Sequence, residues 1–178
     1  MSAATAAAPR PESSGLNVAQ IVTFRVGPDL FAADVRAVER VLRFQAPRAV
    51  PSVPPWVQGV IDYQRRIVPV VNFRARFELE AVDTTAETRI IVFNTAAGWT
   101  AGIVDAVLDV TSVGQGAVSP PPPLVRGLAA EFLHGVVRRD GALVVLLNAD
   151  RFLSATDRVL LRSATENAVQ HGQGGADE

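Results

Sequence analysis

The sequence predicts a mostly-β protein assembled from two similar small barrels. Three observations carry the prediction. A set of apolar segments in the first half of the chain returns, in the same order, in the second. The segments are short, rich in Val and Ile, and broken by turn residues at the roughly 8–12-residue spacing of sandwiches and barrels. Helical signals are few.

The repeat has a fixed offset. IVTF at Ile21 aligns with IIVF at Ile90, 69 positions on. The same offset pairs Phe24 with Phe93, Leu30 with Trp99, Ala32 with Ala101, Ala37 with Ala106 and Pro51 with Pro120. It also pairs Val35, Val38 and Val41 with Val104, Val107 and Val110. GVIDYQRRIVPVVNF from Gly59 then matches GVVRRDGALVVLLNA from Gly135, 76 positions on, as if seven residues entered within PPPPLVRGLAAEFLH. Each copy alone is small for a stable domain, and two packed copies share a core.

In chain order, QIVTFRV and RIIVFNT read as strands bounded by Gly27-Pro28 and by Ala97-Gly98, and LFAADV and WTAGIV close hairpins onto them. Val35, Val38 and Val41 fit either a short helical turn or a bulged strand. The recurring GVI and GVV segments open hairpins, the second through Asp140-Gly141. Pro69 lacks a donor and belongs at an edge or bulge. Asn72 to Glu80 predicts a short helix. Ser154 to Asp157 resembles a capping box ahead of RVLLRSATENAV, a C-terminal helix. Residues 1–17 read as a disordered tail, 18–161 as the folded domain with half-barrels over roughly 20–80 and 88–153, and 162–178 as helix end and disordered tail.

Composition narrows the function. Of 178 residues 48% are hydrophobic and 20% charged, the balance of a globular chain. The net charge of −1 provides no field to gather nucleic acid or an anionic membrane. All basic residues are Arg, and the absence of Cys removes disulfides, thiolate metal sites and a Cys nucleophile. No apolar run has the length of a membrane span, and the N-terminus is a poor signal peptide.

No chemistry assembles. His134 and His171 stand far apart, without the spacing of a metal or catalytic set. There is no phosphate-binding loop or nucleophile elbow, and Gly114-Gln115-Gly116 is too short for a dinucleotide loop. Asp105 and Asp109 share a face on a helix but are edge or turn residues on a strand. Pro120 to Pro123 reads as a rigid connector ahead of a polyproline ligand. Arg65-Arg66 and Arg138-Arg139 fall at matching hairpin turns, solvated or facing an acidic partner. Few aromatics stand by to stack bases, which disfavours a nucleic-acid binder.

From Gln20 to Leu161, the order of QIVTFRVGPDLFAADVRAVERV, PSVPPWVQGVIDYQRRIVPVVNFRARF, TRIIVFNTAAGWTAGIVDAVLDV, AVSPPP and EFLHGVVRRDGALVVLLNADRFL resembles the CheW family of chemotaxis adaptors. The resemblance implies two pseudo-symmetric five-stranded SH3-like barrels packed through a common core. It implies no catalysis, no cofactor and no metal. It implies two partners, the regulatory domain of a CheA-type histidine kinase and the cytoplasmic tip of a chemoreceptor, met in the cytoplasm at receptor arrays without membrane insertion or nucleic acid.

The sequence departs from the family at its G-V-[IV]-N-L-R-G hairpin, where the usual Arg falls on Gln64 and the turn Gly on Arg65. The Glu of the V-x-E-[IV] segment falls on Arg40, so both members of an acid–base pair are gone together. The expected partner-binding residues are Val35, Val38, Val104 and Val107 in an apolar receptor groove, with Arg40, Gln64 and Arg65 setting specificity. The alternative within the class is a modulator that binds kinase or receptor but not both.

Overall fold

Among the described residues thirteen strands form two large sheets and a separate two-stranded pair, accompanied by two α-helices. The computed structural model describes residues 20–114, 116–121, 124–125, 128–129, 133–151 and 155–172. In chain order the strands are β1 Gln20–Val26, β2 Asp29–Asp34, β3 Val38–Arg43, β4 Val57–Tyr63, β5 Arg66–Asn72, β6 Arg89–Thr95, β7 Gly98–Val104, β8 Ala106–Ser112, β9 Val118–Ser119, β10 Leu124–Val125, β11 Leu128–Ala129, β12 Leu133–Arg139 and β13 Ala142–Leu147. The helices are α1 Phe73–Arg76 and α2 Ala155–Gly172.

One sheet has the order β3-β6-β7-β5-β4 and the other β8-β1-β2-β13-β12-β9; β10 and β11 pair separately. The offsets of the repeat turn the first order into the second strand for strand, with β9 added at the end. The two five-stranded barrels expected from the sequence are therefore present and pseudo-symmetric. Below, the β3-to-β4 sheet is the first barrel and the β8-to-β9 sheet the second.

The barrels are not the contiguous halves 20–80 and 88–153. The β1–β2 hairpin belongs to the second barrel and the β6–β7 hairpin to the first. Each exchanged hairpin is held on one side by a parallel pairing, Val144–Leu146 beside Leu30–Ala32 and Val70–Asn72 beside Ala101–Ile103. The physical reason is that two copies of one pattern offer each other's hairpins the same partners.

The arrangement also explains why IVTF and IIVF are buried along their whole length, as strands covered on both faces. Ile90 and Val92 fill the first barrel with Ile61, Tyr63, Val68 and Val70. Ile91 and Phe93 face the shared core with Phe24, Phe31, Phe73 and Phe77. There the Phe73 and Phe77 rings lie 5.4 Å apart, Phe31 and Phe77 4.7 Å, and Phe24 and Phe73 6.1 Å. Burying such rings contributes about 1.5–3 kcal/mol each. Gly102 makes room, since a β-carbon there would lie 2.7 Å from the Phe73 ring.

Local expectations fare unevenly. Val35–Ala37 form a single 3-10 turn, capped by Asp34 accepting from the Arg36 amide, and β3 follows with a bulge between Val38 and Arg40. Both alternatives for that segment are realised in sequence. The helix expected over Asn72 to Glu80 is shortened to Phe73–Arg76, started by the Asn72 side chain accepting from the Ala75 amide and stopped before Glu78, whose φ is +58°. Pro69 lies on an interior strand, but it precedes the stretch of β5 that pairs with β7, so its missing donor is unclaimed on that side. The C-terminal helix is present and runs through Gly172, with Asp157 in its first turn. Ser154, residues 1–19 and 173–178, and Pro122 to Pro123 lie outside the described residues.

Candidate partner-binding site

Of the expected apolar groove residues, Val38 and Val107 are half-buried and pack on the shared core, and Val35 is half-buried on the 3-10 turn. Val104 is different. It is 1% exposed inside the shared core, so it has no surface to present, and its place among the partner-binding residues is corrected. β7 ends at Val104, whereas the equivalent Val35 begins a turn, and this local asymmetry buries one and half-exposes the other.

Arg40, Gln64 and Arg65 are all exposed. Gln64 and Arg65 form the β4–β5 turn with φ of +48° and +62°, matching Asp140 and Gly141 at +50° and +77° in the other barrel. Both hairpins thus turn through two left-handed residues, the geometry that favours Asn-Gly or Asp-Gly. Arg65 holds it without glycine. Gln64 Nε2 donates to the Tyr63 hydroxyl at 3.2 Å. Tyr63 is buried with its ring 5.1 Å from Trp99, and Arg66 lies over Trp99 at 4.8 Å.

The mouths of the two barrels differ in charge. In the second barrel β8 and β12 are not sheet neighbours, yet Arg139 Nη1 and Nη2 donate to Asp109 Oδ1 and Oδ2 at 2.8 and 2.7 Å. This bidentate pair closes the barrel, and the hydrogen bonds from Arg139 hold the Asp109 carboxyl below its ordinary range. At the equivalent positions of the first barrel stand Arg40 and Tyr63.

Two further junctions between the barrels were not anticipated from the sequence. Asp105, in the bend between β7 and β8, accepts from the Gly27 amide at 2.7 Å and from Arg74 Nε and Nη2 at 2.8 and 2.6 Å. Arg74 Nη1 donates to the Glu80 carbonyl at 2.8 Å. Burial pushes the Asp105 carboxyl up, but the hydrogen bonds from Arg74 and Gly27 outweigh it and the net shift is downward. On the opposite side the Ala96 amide, equivalent to Gly27, donates to Asp150 Oδ1 at 2.8 Å. Asp150 occupies the place of Arg74, and Arg36 that of Asp105, so the charges are reversed. Arg36 turns to Asp34 instead, at 2.6 Å. A cavity of about 380 Å³ stands open there, lined by Asp34, Arg36, His134, Asn148 and Asp150 among others. Burial lowers the pKa of His134. The only advance sign of these junctions was the sign reversal at positions the repeat makes equivalent.

Among the described residues no three His, Asp or Glu side chains gather as metal ligands, and no helix is long and apolar enough to cross a membrane. What the fold and surfaces define is a two-barrel module whose exposed features are rims, turns and edge strands. The chain belongs to the CheW-like domain family, whose model matches residues 20–157. It is 29% identical over 142 residues to the chemotaxis protein CheW of Treponema pallidum, covering 78% of this chain and 84% of that one. It is 30% identical over 163 residues to the protein FrzA of Myxococcus xanthus, covering 89% and 97%. The scaffolding protein TtCheW from Thermoanaerobacter tengcongensis shares the fold with a TM-score of 0.72 at 23% identity, over 78% of this chain and 94% of that one.

Proposed function

We propose that the chain is a non-catalytic adaptor that couples a chemoreceptor to a CheA-type histidine kinase. The observation that carries this reading is the family match across both barrels, together with the way the barrels are built into one body. The exchanged hairpins and the shared aromatic core join the two barrels into one body. A single body made of two barrels has surface for two partners, which is what coupling requires. The receptor tip, a helical hairpin, is placed against the half-buried Val35, Val38 and Val107, where apolar contact supplies affinity. The kinase regulatory domain is placed on the barrel rims, where Arg40, Gln64 and Arg65 discriminate among partners. The work is done in the cytoplasm, at receptor arrays.

Calorimetry with the purified receptor cytoplasmic fragment, the kinase regulatory domain and their mixture tests the proposal. Micromolar binding to each, undiminished by the other, is the expected result. Binding to one partner alone supports the second reading, a modulator of an accessory system. The loss of the family's acid–base pair at Arg40 and Gln64 is the observation that favours it.

A further inference from the structure

We infer that Arg40, at the mouth of the first barrel, takes a carboxylate supplied by the protein that docks there, so that the matching surface of the partner is acidic. The inference rests on the adaptor reading above.

The second barrel shows what this place looks like when its charges are satisfied from within. Thr23 faces Asp109 across the β1–β8 ladder, and Arg139 reaches over from β12 to close on Asp109 with two short bonds. The equivalent trio in the first barrel is Val92, Arg40 and Tyr63. Arg40 faces Val92 across the β3–β6 ladder, and Leu42, two residues further along β3, packs into the barrel. Arg40 therefore starts from the inner face of the strand and emerges at the rim. The side chain that would answer it is Tyr63, buried against Trp99 and carrying no charge.

Among the described residues Arg40 makes no ion pair, and neither does Arg65 in the adjoining turn. Glu39 and Asp62, the acidic groups on β3 and β4, form no ion pair with either. A guanidinium left in water is well solvated. Covered by an apolar or basic surface, it loses that solvation with no return, and a carboxylate on the partner compensates the loss best. The planar fork of Arg favours a bidentate carboxylate, the geometry Arg139 already uses within this molecule.

The test is the affinity of the full chain for the kinase regulatory domain from the same cell, at three salt concentrations. Arg40→Glu is expected to weaken binding about tenfold or more, and Arg40→Gln by less. Both should flatten the salt dependence. Asp109→Asn, at the internally paired mouth, should stay within about twofold of the parent. Circular dichroism confirms that the variants fold, since Arg40 is exposed. An Arg40→Glu variant that binds with the parent's affinity and salt dependence overturns the inference while leaving the adaptor reading intact. A parent chain that binds neither kinase nor receptor overturns the adaptor reading and the inference with it.

Discussion

Gly59 and Arg48 meet backbone to backbone with no room for a side chain between them. A β-carbon on Gly59 would fall 2.1 Å from the Arg48 carbonyl oxygen. That oxygen accepts from the Val60 amide at 2.9 Å, and the Arg48 amide donates to the Val60 carbonyl at 2.8 Å. The second barrel repeats the arrangement, with a β-carbon on Gly135 falling 2.4 Å from the Ser119 carbonyl oxygen as β9 pairs with β12. The glycine that opens each copy of the repeated segment is thus where an incoming strand presses onto the barrel, which is why it recurs.

Gly59→Ala should therefore destabilise the protein by at least about 3 kcal/mol, combining a backbone clash with a φ of +139°. Gly141→Ala, with open space around it and a φ of +77°, should cost only about 1 kcal/mol. Urea denaturation of the two variants beside the parent checks the contrast. Equal losses would contradict it.

Arg65 occupies a left-handed turn position that its counterpart fills with glycine. Arg65→Gly should stabilise the fold by about 0.5–1 kcal/mol, the relief of the β-carbon penalty exceeding the added freedom of the unfolded chain. Thermal unfolding reads this directly. The departure from the family at this turn is then a cost to stability, consistent with a role for the Arg65 side chain in binding.

Asp105 ties the β1–β2 turn of the second barrel to α1 after the first. Because its folded pKa is lowered, its contribution is full above the unfolded pKa and disappears as pH falls through the folded value, on the acid side of the ordinary carboxylate range. Asp105→Asn should cost about 1–2 kcal/mol at neutral pH and leave a shallower loss of stability on acidification. Denaturation at neutral pH and again at strongly acidic pH measures both effects. An unchanged acid limb would remove Asp105 from the account.

The Asp109–Arg139 closure is solvent-facing, so it should respond to salt. Arg139→Gln is expected to lower Tm slightly in dilute buffer and to match the parent near 1 M salt, where screening has shortened the Debye length to about 3 Å. A deficit that persists at high salt would point to packing of the Arg139 stem instead.

The elements that were legible in the sequence share one property: their signal is local. The β-branched apolar runs of β1 and β6, the Asp140-Gly141 turn and the C-terminal helix each depend on a few adjacent residues. The exchange of hairpins was not legible, because two copies of a pattern are equally good partners for either hairpin, and only the whole packing decides. The burial of Val104 was hidden for a related reason. Periodicity placed it with Val35, and the difference arises from where β7 stops. Arg40, Gln64 and Arg65 were singled out by comparing motif positions, and all three are exposed. The pair formed by Asp109 and Arg139 needed the curl of a sheet to bring β8 to β12.

The central claim is that one chain bridges two proteins. Co-sedimentation tests it most directly, with receptor cytoplasmic fragments attached to vesicles and the kinase regulatory domain in solution. The account predicts that the kinase domain pellets with the vesicles only when this chain is added, in proportion to the chain up to saturation. A kinase domain that stays in the supernatant at every concentration, while the chain itself pellets, would contradict it.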